Sequence, residues 1–155
     1  MEPIYVTSIF STAYHAAKMT LSVLSRDLYD QGGNSDYEKV VPTERDNDFF
    51  LQAWKTAAST VADLIRDHIT EFNVYEDEED GMEADFGVMS YSKTYTATDI
   101  AIDFGDYIRN SMLNEWLTMK APANAEPYAK AMEAASAGLK LKVCHKPRPK
   151  LKYFN

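Results

Sequence analysis

Residues 71–86 read EFNVYEDEEDGMEADF and hold eight acids and no base. Asp80-Gly81 near their centre is the strongest two-residue turn signal in the chain. Taken as the turn of a β-hairpin, it sets Tyr75 opposite Phe86 and Phe72 opposite Met89. The same register opposes Glu78 to Glu83 and Glu76 to Asp85, and like charges directly across a ladder destabilise it. The expectation is a hairpin with a labile acidic tip, set into a chain whose other long patterns are helical.

Upstream, Phe50, Trp54, Ala57, Val61, Leu64 and His68 recur at three- and four-residue intervals, with Phe49, Ala58 and Ile65 beside them. That spacing predicts a helix beginning near Thr43 and ending around Thr70, with Glu44, Asp46 and Asp48 at its positive end. Phe10, Tyr14, Ala17, Leu21, Leu24 and Leu28 predict an earlier helix, capped by Ser8 or Ser11 and stopped by Gly32-Gly33. Residues 1–7 read as an extended arm, and 30–43 as a long polar loop.

Downstream, the second hairpin arm continues through Val88, Tyr91 and Tyr95. Thr98 caps a third helix whose stripe is Ile100, Phe104, Ile108, Met112 and Trp116, although 99–104 also alternate like a strand. After Ala121-Pro122 a fourth helix starts near Asn124 and carries Tyr128, Met132, Ala135, Leu139 and Val143, with Gly138 weakening it. Lys140, Lys142 and Lys146 sit by its C-terminal end, where cations are favoured. Pro147 and Pro149 force the remainder extended.

The expected fold is therefore one mainly α domain over 1–155. It comprises a four-helix bundle-like body over 8–145, one β-hairpin over 72–95 between helices two and three, an N-terminal arm (1–7) and an extended basic tail (146–155). Trp54 and Trp116 lie on apolar stripes and read as core.

The net charge of −8 is unevenly spread. The last seventeen residues hold six Lys or Arg and no acid, leaving −14 on the rest. Such acidity argues against wholesale binding to nucleic acid or to an anionic membrane. No apolar stretch approaches the roughly 20 residues of a membrane span. The start MEPIYVTSIF lacks the basic and apolar regions of a signal peptide, and a lone cysteine, Cys144, suits a reducing compartment. Together these read as a cytoplasmic origin.

No catalytic constellation stands out. With Gly81 at the sixth position of a calcium loop, Glu76, Glu78 and Asp80 take positions one, three and five, but Gly87 falls where a bidentate Glu is needed. His15, His68 and His145 lie in different elements without metal-ligand spacing, and His68 reads as a hydrogen-bonded core histidine. Adjacent Cys144 and His145 would not face each other on a helix. Gly32-Gly33-Asn34 is followed by no Lys-Ser/Thr of a phosphate loop. No metal or cofactor is expected, and the chain reads as a non-enzyme.

The tail offers two targets. Its bases, with Tyr153 and Phe154, suit phosphates and stacked bases, which would make the chain a small nucleic-acid-binding regulator. A protein partner is the favoured reading, because the acidic body repels a polyanion and a neighbour's acidic hairpin attracts the tail. Leu151 and Tyr153 alternate with Lys150 and Lys152, the pattern of a strand able to join another sheet.

The run from Ser111 to Pro149 resembles small virion structural proteins of tailed phages of gut bacteria. The matching residues are Asn114, Glu115, Trp116 and Leu117, then Glu126, Tyr128 and Ala129, then Lys146, Pro147, Arg148 and Pro149. Helical-bundle proteins of this order are similar to head–tail adaptors, the neck proteins between portal and tail, which assemble as rings, often of twelve copies. The resemblance implies a non-enzymatic neck subunit of the virion, made in the host cytoplasm, with copies of itself and portal or tail proteins as partners. A tail-completion or other tail protein is the alternative within that class. Partner contacts are expected at Glu76, Asp77, Glu78, Glu79, Asp80, Glu83 and Asp85 of the hairpin, at Lys146, Arg148, Lys150, Lys152, Tyr153 and Phe154 of the tail, and along the arm 1–7.

Overall fold

The computed structural model describes residues 4–30, 40–77, 81–89 and 95–143. In chain order these form strand β1 (Ile4–Ile9), helix α1 (Phe10–Asp30), helix α2 (Asn47–Leu64), strands β2 (Ile69–Asp77) and β3 (Gly81–Val88), helix α3 (Ala97–Lys120) and helix α4 (Glu126–Val143). Short 3-10 turns at Glu44–Asp46, Arg66–His68 and Pro122–Asn124 lead into α2, β2 and α4.

The four helices and the hairpin between α2 and α3 agree with the sequence reading. The bundle with a free N-terminal arm does not. A three-stranded antiparallel sheet in the order β1-β3-β2 replaces it, because the N-terminal segment runs alongside β3 from Ile4↔Val88 to Ile9↔Glu83. Val6 decides the matter: it is only 3% exposed and sits in the core opposite Phe86. Burying it there exposes less apolar surface than a free arm would.

The hairpin register also differs. Asp77 pairs with Gly81, so three residues separate the strands, and Phe72 opposes Phe86 while Tyr75 opposes Glu83. Gly81 has φ +80°, a backbone state that only glycine adopts without strain. Glu83 and Asp85 oppose Tyr75 and Asn73, not the carboxylates expected across from them. Instead Phe72 stacks on Phe86 at 5.0 Å between ring centroids, and Glu76 faces Met82. An aromatic cross-strand pair stabilises the ladder, whereas opposed carboxylates weaken it.

Helix α2 stops at Leu64, short of the expected Thr70, since Ile69–Tyr75 alternate and pair with β3. His68 therefore leaves the helical stripe. It is half-buried in the 3-10 turn, its N–H donates to Ile65 O (2.9 Å) and its carbonyl accepts from Met89 N–H (2.7 Å), while its buried Nδ1 has no protein partner. The expected hydrogen-bonded core imidazole is thus corrected. The cap of α3 is Thr96 rather than Thr98. Asp99 Oδ2 accepts from the Thr96 backbone N–H (2.9 Å), and Asp99 N–H donates to Thr96 Oγ1 (3.2 Å), a reciprocal capping box. Helix α4 begins at Glu126, two residues after the expected Asn124.

Helix α3 is the central element, packed against α4, α2, α1 and β1. Its buried side carries Ile100, Phe104, Ile108, Met112, Leu113, Trp116 and Leu117. Both tryptophans are core, as expected, and each is fixed by its indole N–H. Trp54 donates to Ser8 Oγ of β1 (3.0 Å), and Trp116 to the Val40 carbonyl (2.9 Å). Phe50 lies 4.9 Å from Trp116 and Phe86 4.7 Å from Phe104, so aromatic contacts run from α2 through α3 to the sheet.

Gly138, read as a weak point of α4, has a packing role. A Cβ there would lie 3.0 Å from Asp103 Oδ2 of α3. That carboxylate is 2.6 Å from Lys142 Nζ, in an ion pair largely shielded from solvent. Lys142, expected among the cations at the C-terminal end of α4, lies there and also joins the last two helices.

Candidate interaction surface

Among the described residues the helices cover one face of the sheet and not the other. Pairing puts Ile4, Val6, Ser8, Phe72, Val74, Glu76, Met82, Ala84, Phe86 and Val88 on the inner side. Tyr5, Thr7, Ile9, Glu71, Asn73, Tyr75, Glu83, Asp85 and Gly87 share the outer side. The difference follows from alternation along each strand, with apolar residues turned towards α3 and polar ones away.

The outer face is organised around two carboxylates of the central strand. Thr7 Oγ1 donates to Asp85 Oδ1 at 2.8 Å, and the Tyr75 hydroxyl donates to Glu83 Oε2 at 2.6 Å. Glu83 is only 7% exposed, shielded on a face otherwise open to water. The Tyr75 hydroxyl has its pKa pushed well above the ordinary tyrosine value, first by the hydrogen bond to Glu83 and then by Asp85. It therefore stays a donor at any physiological pH. Beyond these pairs, Tyr5 is 63% exposed and Tyr75 39%.

Gly87 permits this arrangement. A Cβ at Gly87 would fall 2.7 Å from Thr70 Oγ1, 3.1 Å from Glu71 Cγ and 3.4 Å from Tyr5 Cε1. Glycine thus lets Thr70, Glu71 and Tyr5 close over the middle strand. The sequence reading missed Tyr5, Thr7 and Tyr75 as surface residues of one patch. Only the pairing of β1 with β3 brings them together, across a sequence separation that no local pattern reports.

Of the expected contact residues, Glu83 and Asp85 lie together on this face. Glu76 is exposed but belongs to the inner side, opposite Met82. The side chain of Asp77, and Glu78, Glu79, Asp80, Lys146, Arg148, Lys150, Lys152, Tyr153 and Phe154, lie outside the described residues, as do Cys144 and His145. The arm 1–7 is placed differently: from Ile4 it is committed to its own sheet.

Two shallow hollows flank the helices. One, about 290 Å³, lies between the β1–α1 junction and α3, lined by Thr12, Ala13, Ala101, Ile102, Gly105 and Arg109. The other, about 320 Å³, lies among α2, α3 and α4 beside Leu64, Tyr107, Met132, Ser136 and Lys140. Neither lining contains a histidine or cysteine. Among the described residues no group of three His, Cys, Asp or Glu side chains could hold a metal ion, and no helix is long and apolar enough to cross a membrane.

Comparisons of the chain with protein-family models, with curated proteins and with solved structures give no significant match.

Proposed function

We propose that the chain is a non-catalytic structural subunit of a tailed-phage particle, a head–tail adaptor that closes into a ring with further copies of itself. The observation that carries this reading is the segregation of charge. Strands β1, β2 and β3 hold five carboxylates and no basic residue, whereas residues 146–155 hold four bases and no acid. A ring subunit docks head-to-tail on the next copy and needs two different, mutually complementary surfaces. The outer sheet face is one and the tail the other.

The resemblance of the run around Asn114–Leu117, Glu126–Ala129 and Lys146–Pro149 to phage neck proteins supports the assignment and supplies the particle. Portal or tail proteins of that particle are then the remaining partners. Ile4–Thr7 act there as a strand of the subunit's own sheet, with Tyr5 and Thr7 on its outer face, and not as a free arm.

The test is the mass of the purified chain in solution, alone and mixed with a portal protein of the same particle. The expected result is a ring of defined size, formed alone or on the portal. A monomer indifferent to the portal, yet binding DNA with a log–log salt slope near roughly −5, would overturn the proposal in favour of a nucleic-acid-binding regulator.

A further inference from the structure

We infer that the free edge of β2 receives residues 150–153 of a second copy as a fourth strand of the sheet. The inference deepens the ring reading and rests on it for the identity of the second copy. The joint itself is defined by backbone and side-chain chemistry.

Strand β2 is an edge strand: among the described residues it is hydrogen-bonded to β3 alone. At nine residues it is longer than the common five or six. Edge strands ordinarily carry an inward charge, a lysine, a proline or a bulge that blocks further pairing. The stretch Glu71–Tyr75 has no lysine or proline; the inward Glu76 lies after it, and the one irregularity lies before it, between Ile69 and Glu71. The other edge, β1, is packed by α3 and α1.

The two faces of β2 differ in a way that selects a partner. On the inner side Phe72 is half-buried and Val74 is 38% exposed, so apolar surface continues past the shelter of the helices. On the outer side Glu71, Asn73 and Tyr75 stand beside Glu83 and Asp85. A strand that fits must alternate apolar and basic residues. Lys150, Leu151, Lys152 and Tyr153 do so with the same period of two. With Leu151 and Tyr153 turned inward in an antiparallel register, Leu151 meets Val74 and Tyr153 meets Phe72. Lys152 then stands beside Asn73 and Lys150 beside Tyr75, next to Asp85 and Glu83 of β3. Pro147 and Pro149 lack the N–H a ladder requires, which confines the added strand to residues after 149. Twelve residues follow Val143, and extended they span about 40 Å, enough to reach a neighbouring molecule.

Disulfide trapping in the full-length chain, with Cys144→Ser as background, tests the joint. One tagged chain carries Val74→Cys or Asn73→Cys; a second, differently tagged, carries Leu151→Cys or Lys152→Cys. Position 74 should link to 151 and position 73 to 152, between tags, while the crossed combinations remain unlinked. Adding Lys150→Glu and Lys152→Glu to the Leu151→Cys chain should abolish its link. Absence of any link, equal linking in all four combinations, or links confined to one chain would overturn the inference. Val74 and Asn73 are both exposed, so the substitutions spare the core. Circular dichroism of each variant confirms that a missing link is not a missing fold. The alternating pattern in a chain that forms no ring with any portal would uphold the joint and remove only the ring reading.

Discussion

The α3–α4 layer and the β-sheet use the same kinds of residue to different ends. In α3 a wide apolar stripe is covered on most sides, and the polar residues there serve to cap or join helices. Asp99 closes the first turn, and Asp103 pairs with Lys142. In the sheet one side is equally apolar, but the other has no covering element among the described residues and carries acids and tyrosines held by two specific hydrogen bonds. Burial on all sides makes a helix a matter of stability. In the sheet, only the inner side does the same work among the described residues.

Substitutions in the two regions should therefore separate stability from association. Trp116→Ala removes a fully buried ring and its bond to the Val40 carbonyl. The expected loss is about 3–5 kcal/mol, read as a lower midpoint in denaturant unfolding. Gly87→Ala tests the close approach on the outer face. Its new Cβ would meet Thr70 Oγ1 at 2.7 Å, so Thr70 and Glu71 must shift. A cost of about 1–3 kcal/mol is expected, with Ala at Gly105, where nothing lies within 4 Å, as the control. No difference between the two would mean that the strands do not crowd there.

Smaller effects sharpen the contrast. Asp99 has its pKa lowered, first by the Thr96 backbone N–H and then by the Thr96 hydroxyl. A carboxyl depressed in the folded state stabilises above its unfolded value, near 3.9, and that contribution fades as pH falls through the folded value. Asp99→Asn should accordingly melt earlier than the parent at pH 7 and converge with it in acid. A gap that persists at pH 2 would assign the effect to something other than the ionised cap. Smallest of all, Tyr75→Phe takes the donor from Glu83 on the outer face. Little change in melting is expected, together with weaker self-association; the reverse outcome would make the pair a structural one.

The helices were legible because their signal is local. Phe10 to Leu28, Phe50 to Val61 and Ile100 to Trp116 each repeat at helical spacing, and the same residues face the core. The capping of α3 was half legible. Asp99 stood out, but its partner three residues before it was passed over for a nearer threonine. The hairpin was visible as two arms and a glycine, yet its register depended on contacts between side chains, with Phe72 finding Phe86 and Tyr75 finding Glu83. Least legible was β1. Ile4–Ile9 alternate too briefly to be told from an arm, and their partner lies over 70 residues away. The outer face follows from that pairing, so its residues could not be grouped beforehand. Gly138 was misjudged for a related reason: propensity registers the loss of a side chain, while the close approach of Asp103 belongs to another helix.

Placing β3 between β1 and β2 also orders events in time. During synthesis Ile4–Ile9 emerge first, yet they have no ladder to join until residues 81–88 have left the ribosome. Closing a loop of that length slows nucleation far more than closing the β2–β3 hairpin. The hairpin should form early and act as the template on which the start of the chain is laid down last. Until then Val6 and the inner side of β3 stay open to water. That interval is when a nascent chain is most exposed to pairing with the wrong strand.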